Sequence, residues 1–422
     1  TGIVRVRSTG DEDGFSFGVR TFDTDGAISN SGTIQVSATG TDDEAQARGI
    51  FSDLTGGGIV NSGTISLSTE AGDETYIYGA IDAERTGGQI VNSGVLEATG
   101  TAPHDVAVYA FRGYNSYDGI LNTGSISASA FAGSALHDRS DALGLYTSET
   151  HGDISNTGDI SAQASGYYGL SWGIQSLNSV GDITNTGTIS ATGTGVEDGQ
   201  AFGINAYFTN GTLKNSGTIS ATASGADEAY VEGLDAVNTY GNILNTGTIL
   251  ASGTATGPDG YADVYGMDLS GVSGTLSNSG MISAWATADD ANAYAIELTQ
   301  TNAIVENTGY LNAVANGEKA RAYGLSLSGS GIVRNAGEIS ASGMSGAGLH
   351  VSSGVWNVYN PGFIFSSGGV RTLEVKGSGV ANIMDSFRTI FDGDPESMDY
   401  LAPLLANYGG TLNLNDATLL AQ

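Results

Sequence analysis

The chain has no cysteine, and that excludes disulfides and thiolate metal sites. It has only 5 prolines in 422 residues, so its 65 glycines belong neither to collagen nor to a proline-rich linker. Positive charge is scarce: 14 Lys+Arg stand against 45 Asp+Glu, a formal net charge of −31. A surface this acidic repels phosphate backbones and anionic lipids, so nucleic acid is not an expected partner. No apolar run reaches the ~18 residues of a membrane span. The chain starts at Thr1 rather than Met and shows no signal peptide, which reads as a processed or partial chain. Hydrophobic residues make up 40%, enough for a sizeable core, so the chain is expected to fold.

What the sequence has in abundance is one phrase. "IVNSGTISLS" at 59–68 returns as "ITNTGTISAT", "LKNSGTISAT" and "ILNTGTILAS". Its anchor is an Asn followed by a small residue or Pro and then Gly: Asn30, Asn61, Asn92, Asn122, Asn156, Asn185, Asn215, Asn245, Asn278, Asn307, Asn335 and Asn360. The first and last are 330 residues apart over eleven steps, a mean period of 30. Ile, Leu or Val stands two residues before each Asn, and Ile or Leu four residues after it. Apolar and polar positions alternate after the corner, as in a strand with one buried face. A third short strand recurs mid-unit, as in "YIYGAIDA", "AFGINAYF" and "VYGMDLSG".

One such unit cannot bury its inward face alone. Stacked units can, and each strand then pairs with its copies above and below. The expected fold is therefore all-β, a single-stranded parallel β-helix of about 12–13 coils, each with three short strands. At the corner, Gly and Asn are expected to take positive φ, and stacked Asn side chains to form a hydrogen-bonded ladder. Residues 1–366 read as the repeat domain. Residues 367–422 read as an irregular segment with some helical potential that ends in a worn coil around Asn415.

Tandem N-[ST]-G-T-I units, without cysteine and rich in acidic residues, Gly, Ser and Thr, resemble bacterial autotransporter-type passenger proteins over residues 1–366. The resemblance implies a right-handed parallel β-helix, export through the outer membrane, an extracellular or cell-surface location, and a role as adhesin or surface structure. The family's C-terminal membrane barrel is not visible here, since nothing near residue 422 shows a run of ~10-residue alternating strands; either it was removed or the chain is exported differently.

Both ends fall in mid-coil, and this motivates a leading expectation of head-to-tail stacking of copies into a surface filament or matrix. Thr1, Gly2, Ile3, Val4, Leu414, Asn415 and Leu419 would form the joint. An adhesin that binds a host, a surface or a glycan is the alternative, and a polysaccharide lyase or hydrolase a more distant one. An enzyme is not expected. Lys214, Lys319 and Lys376 are the only lysines, and no insertion breaks the regularity as an active site usually does.

Few residues suggest other chemistry. Acidic pairs recur at Asp42-Asp43, Asp73-Glu74, Glu197-Asp198, Asp227-Glu228 and Asp289-Asp290. They are candidates for inter-coil Ca²⁺, against the plainer reading of a solvated edge; no other cofactor is expected. Gly169-Leu170-Ser171-Trp172-Gly173 matches the nucleophile-elbow pattern but lies inside a repeat strand. His104 and His137 fall one coil apart and each precedes an Asp, a weak metal signal; His151 and His350 read as loop histidines. Several of the 19 tyrosines, such as Tyr76, Tyr78, Tyr230 and Tyr265, gather in or beside the mid-unit strands, where core or edge packing is the expected role.

Overall fold

The computed structural model describes residues 2–11, 13–392, 405–408 and 410–421, with side chains described as far as 384 and over 410–413. It is all-β; no helix occurs among the described residues, and about 13 turns of ~30 residues stack in parallel. The chain divides into two compact units, Thr1–Gly211 with Thr218–Ala226, and Thr212–Gly217 with Asp227–Gln422.

Each coil has a three-residue corner strand, a second strand of about seven residues and a longer third strand. In one coil these are Ile59–Asn61, Thr64–Ala71 and Thr75–Thr86. In others the second and third strands fuse, as in Asp159–Ser179. The register holds residue for residue: Ile34 faces Ile65, Ile65 faces Leu96, Leu96 faces Ile126, and so on through Ile160 and Ile189 to Ile219. These side chains are all buried, as are Ile249, Ile282, Leu311, Ile339 and Ile364 in the second unit. Each buried Ile removes apolar surface worth roughly 1.5–3 kcal/mol.

The corner asparagines are hydrogen-bonded to one another. In the first unit each Nδ2 from Asn30 to Asn156 donates to the next Asn Oδ1, at 2.7–2.8 Å. In the second unit the series from Asn215 to Asn360 does the same at 2.6–2.9 Å. The same amides also donate within their own coil to the Gly carbonyl two residues on, as Asn61 does to Gly63. Ladder and turn thus share one buried amide, which leaves little of its polarity unpaired.

The expected positive φ at this corner is not there. Neither the corner asparagines nor their glycines adopt it. Gly is required for a different reason: a Cβ on Gly94 would lie 1.9 Å from the Gly63 carbonyl oxygen, and one on Gly124 2.0 Å from that of Gly94. Coils touch backbone to backbone at this point, so the constraint is one of approach rather than of torsion.

Positive φ occurs instead at the end of the third strand, once per coil, at Asp23, Leu54, Arg85, Asn115, Glu149, Asn178 and Phe208, and in the second unit at Asn238 and Gln300. Each precedes a Ser or Thr, all but Thr24 buried. Leu54 and Phe208 hold φ of 58° and 56°, and neither type adopts that conformation readily. Leu54 is exposed, so Leu54→Asn removes strain without opening the core. It should raise stability by about 1 kcal/mol, read as a higher urea midpoint for unfolding.

Toward the C-terminus the helical potential is not realised where residues are described: Val380–Asp392 is a strand, paired in parallel with Val355–Gly368 and with Thr411–Ala421. Short apolar runs fit helix and strand alike, and here pairing with a preformed neighbour decides.

Candidate functional site

The third strand bends in mid-course. In Asp159–Ser179 the alternation breaks at Gly173 and Ile174, two buried residues in succession, so that Trp172 and Gln175 both point outward on either side of the bend. A Cβ on Gly173 would lie 2.3 Å from Cγ2 of Ile189. Glycine here lets the strand fold in against the second sheet. Gly144, Gly233, Gly266, Gly324 and Gly348 meet the equivalent Ile in the same way. The outward side chains that flank the bend stand in two rows along each stack, with the inward bend as a groove between them, and in the first unit Tyr109 meets Tyr146 from row to row.

In the first unit one wall runs Tyr109, Leu143, Trp172, Phe202 and the other Arg112, Tyr146, Gln175, Asn205. Trp172 and Phe202 stack with ring centroids 5.4 Å apart. Tyr146 packs edge-on against both Tyr109 and Tyr114. Deeper in this groove Asp82 is fully buried and held by Arg112 Nε at 2.8 Å and Arg48 Nη1 at 3.0 Å. Both guanidinium groups also lie over aromatic rings, Arg48 over Phe51 and Tyr78, Arg112 over Tyr78 and Tyr114. Flat cations on ring faces add about 0.5–2 kcal/mol each.

The second unit's groove has a different lining. Tyr265, Tyr294 and Tyr323 stack at 4.9 and 5.0 Å. Opposite them stand Asp235, Asp268 and Glu297 in register. Carboxylate oxygens of Glu232, Asp235 and Asp268 all lie within 4.8 Å of one another. Asp263 accepts from the Tyr261 and Tyr265 hydroxyls at 3.0 and 2.9 Å. Burial pushes Asp268 up to about 6 and Glu297 up to about 7, with neighbouring carboxylates adding to the effect. Glu232, 4% exposed, is pushed well above the carboxylate range, by burial first and then by Asp235. Farther along, Glu374 is buried among His350 at 3.0 Å, Lys376 at 3.0 Å and Arg371 at 3.3 Å.

The sequence-derived calcium candidates lie elsewhere: eight on the turn between second and third strands or at its margins, and Glu197 and Asp198 inside the continuous strand Thr188–Thr209. Asp43 and Asp73 sit in adjacent coils, linked through their backbones at 3.2 Å, and the Asp259 amide donates to the Asp289 carboxylate. None of the ten belongs to the close carboxylate group, the one such group of three among the described residues. Sequence reading missed Glu232, Asp235 and Asp268; aligning the mid-unit strands on their bend glycine would have put Asp235, Asp268 and Glu297 in one column.

Ser171 of the elbow-like motif is fully buried in mid-strand and donates to the Gln200 carbonyl, which leaves it no access to a substrate. His104 hydrogen-bonds Asp138 at 2.9 Å, while His137 packs against Tyr167 and Tyr168, so the two do not converge. His350, read as a loop residue, lies buried in the Ser345–Val351 strand. Of the proposed joint residues, Ile3 and Val4 lie on the Ile3–Gly10 strand and are exposed, with Gly2 just before it. Thr1 and the side chains of Leu414, Asn415 and Leu419 fall outside the described residues.

A constant frame of Asn, Ile and Ala, with a groove whose lining changes from coil to coil, defines a parallel β-solenoid scaffold. More particularly, residues 1–228 match the family model of the BigA third pectate lyase-like domain, over half of the chain, and the chain belongs to that family of bacterial surface proteins. No curated protein and no solved structure gives a significant match.

Proposed function

We propose that the chain is a non-enzymatic, extracellular adhesive segment that presents the groove of its third sheet to a ligand on a host, a surface or a glycan. One observation carries this reading: the frame residues repeat through the chain, while the groove residues vary from coil to coil in the first unit and change character in the second. Neighbouring coils offer Arg112, Tyr146, Gln175 and Asn205 at one structural position, with the buried Asp82 next in the same column. A rigid scaffold that varies only its lining is how recognition is usually carried. Membership in a family of surface proteins supports a location outside the cell, and resemblance to autotransporter-type passengers supports the same export route. We place the function on the groove rather than on end-to-end stacking. Where a sequence starts and stops sets its terminal strands, whereas the groove is built from internal residues.

The test is adhesion of surface-displayed chain, or retention of purified chain, on cells and immobilised glycans. Trp172→Ala with Gln175→Ala removes two half-buried outward side chains and spares the frame. Aromatic anchors dominate binding, so at least a tenfold loss of adhesion is expected, about 1.4 kcal/mol. Undiminished adhesion by a folded double variant would rule out this part of the groove. Glycan cleavage products that appear with the wild-type chain would instead favour an enzyme.

A further inference from the structure

We infer that the carboxylate cluster of the second unit's groove, centred on Asp268, is a proton-operated latch: closed while protons are shared among Glu232, Asp235, Asp268 and Glu297, loosened when they ionise. This does not depend on what the groove binds.

Glu232, Asp235 and Asp268 bring oxygens within 4.8 Å of one another in a site where Glu232 is almost wholly enclosed. Carboxylates so close cannot all ionise without a cation or a shared proton. The groups facing Asp268 come from three strands. Glu228–Val237 supplies Tyr230, Glu232 and Asp235; the Tyr261–Ser270 strand itself supplies Asp263 and Tyr265; Asp290–Asn307 supplies Tyr294 and Glu297. All are acids or phenols. Beyond them Arg321–Asn335 supplies Arg321, Tyr323 and Ser326. Arg321 bonds Asn292 at 3.1 Å and approaches Asp290 at 3.8 Å, while easing Asp263 through space. His350 and Lys376 are engaged by Glu374. Among the described residues no Lys, Arg or His forms an ion pair with Glu232, Asp268 or Glu297. The Tyr230 hydroxyl bonds Glu232, Ser326 bonds Glu297 at 3.4 Å, and the Leu269 backbone amide bonds Asp268.

The sign follows from linkage. Asp268, Glu297 and Glu232 hold their protons more tightly in the folded chain than in the unfolded one, where they titrate near 3.8 and 4.5. Their contribution to stability is full below those values. It is lost as pH rises through about 6 and 7, and further as Glu232 ionises.

The experiment uses the whole chain. Melting temperature is measured from pH 5.5 to 8.5, and amide hydrogen exchange is followed over 261–298 with 159–209 as internal reference. The expected result is a fall of several degrees as pH rises, with protection lost selectively over 261–298. Asp268→Asn with Glu297→Gln should flatten both trends. In the native chain an infrared carboxyl band of a protonated acid should persist at neutral pH, a readout that needs no variant. Three outcomes overturn the latch: equal pH slopes in wild type and double variant; no protonated carboxyl band at pH 7; or calcium binding one equivalent at pH 8 and restoring the acid-form melting temperature, which would make the cluster a metal site.

Discussion

Gly124→Ala should destabilise the protein by about 3 kcal/mol or more, the upper range for over-packing a filled site. The new methyl carbon would stand 2.0 Å from the Gly94 carbonyl oxygen and within 3 Å of two further backbone atoms of that coil. No rotamer relieves this, because Ala has none. Moving the corner outward would break the Gly124 and Ser125 amide bonds to Asn92 and Gly94, at 3.1 and 2.9 Å. It would also stretch the Asn92–Asn122 bond of 2.8 Å. Gly26→Ala is the control: a Cβ there meets nothing within 4 Å, so the change should stay within about 0.5 kcal/mol. Urea unfolding of both variants, with hydrogen exchange of coils 95–131 to localise the damage, checks the claim. A Gly124→Ala chain as stable as wild type would show that coils can separate at the corner at little cost.

Asp82→Ala is the second large effect. Asp82 is fully buried, while the side chains of Arg48 and Arg112 are 22% and 13% exposed and both end on its carboxylate. Truncating the acid leaves two enclosed guanidinium groups with their main partner gone. Breaking such a pair typically costs about 3–5 kcal/mol. The residual exposure of both arginines, and the Glu84 carboxylate 4.0 Å from Arg112, put the expectation near the lower end. If the cost is unpaired charge rather than lost packing, adding Arg48→Met and Arg112→Met should recover most of it, because apolar side chains of similar length can fill the same crease. A single variant destabilised by less than about 1 kcal/mol, or a triple variant no better than the single, would contradict this account.

Much of the frame was legible in the sequence because the frame is what repeats. Twelve copies of Asn-x-Gly with flanking Ile set the period, the strand alternation and the stacking direction, since only a parallel in-register stack satisfies every copy at once. The reason for the corner Gly was not legible. Positive φ and close approach both select glycine, and a sequence does not say which applies; the Gly63–Gly94 distance does. Leu54 and Phe208 hid the true positive-φ site, because neither residue type advertises it. The groove was hidden for a related reason. In the first unit its residues do not repeat, so Asp82, Arg112, Tyr146 and Gln175 look unrelated until the register sets them in one column. The acidic pairs at 42–43 and 73–74 caught attention by adjacency along the chain, whereas Glu232 and Asp268 meet across coils.

The shared amide of the corner Asn has a genealogical consequence. Every corner offers the next coil the same donors and acceptors, so the joint does not record which coil it belongs to. Excising 93–122 would join Asn92 directly to Thr123-Gly124 and restore the motif in phase. The frame would close over the cut, but Asp82 would then face Tyr146 instead of Arg112. Unequal recombination between near-identical repeats can therefore reshuffle the order of the groove's lining in whole-coil steps. A lineage can edit what this surface reads without having to reinvent the fold that displays it.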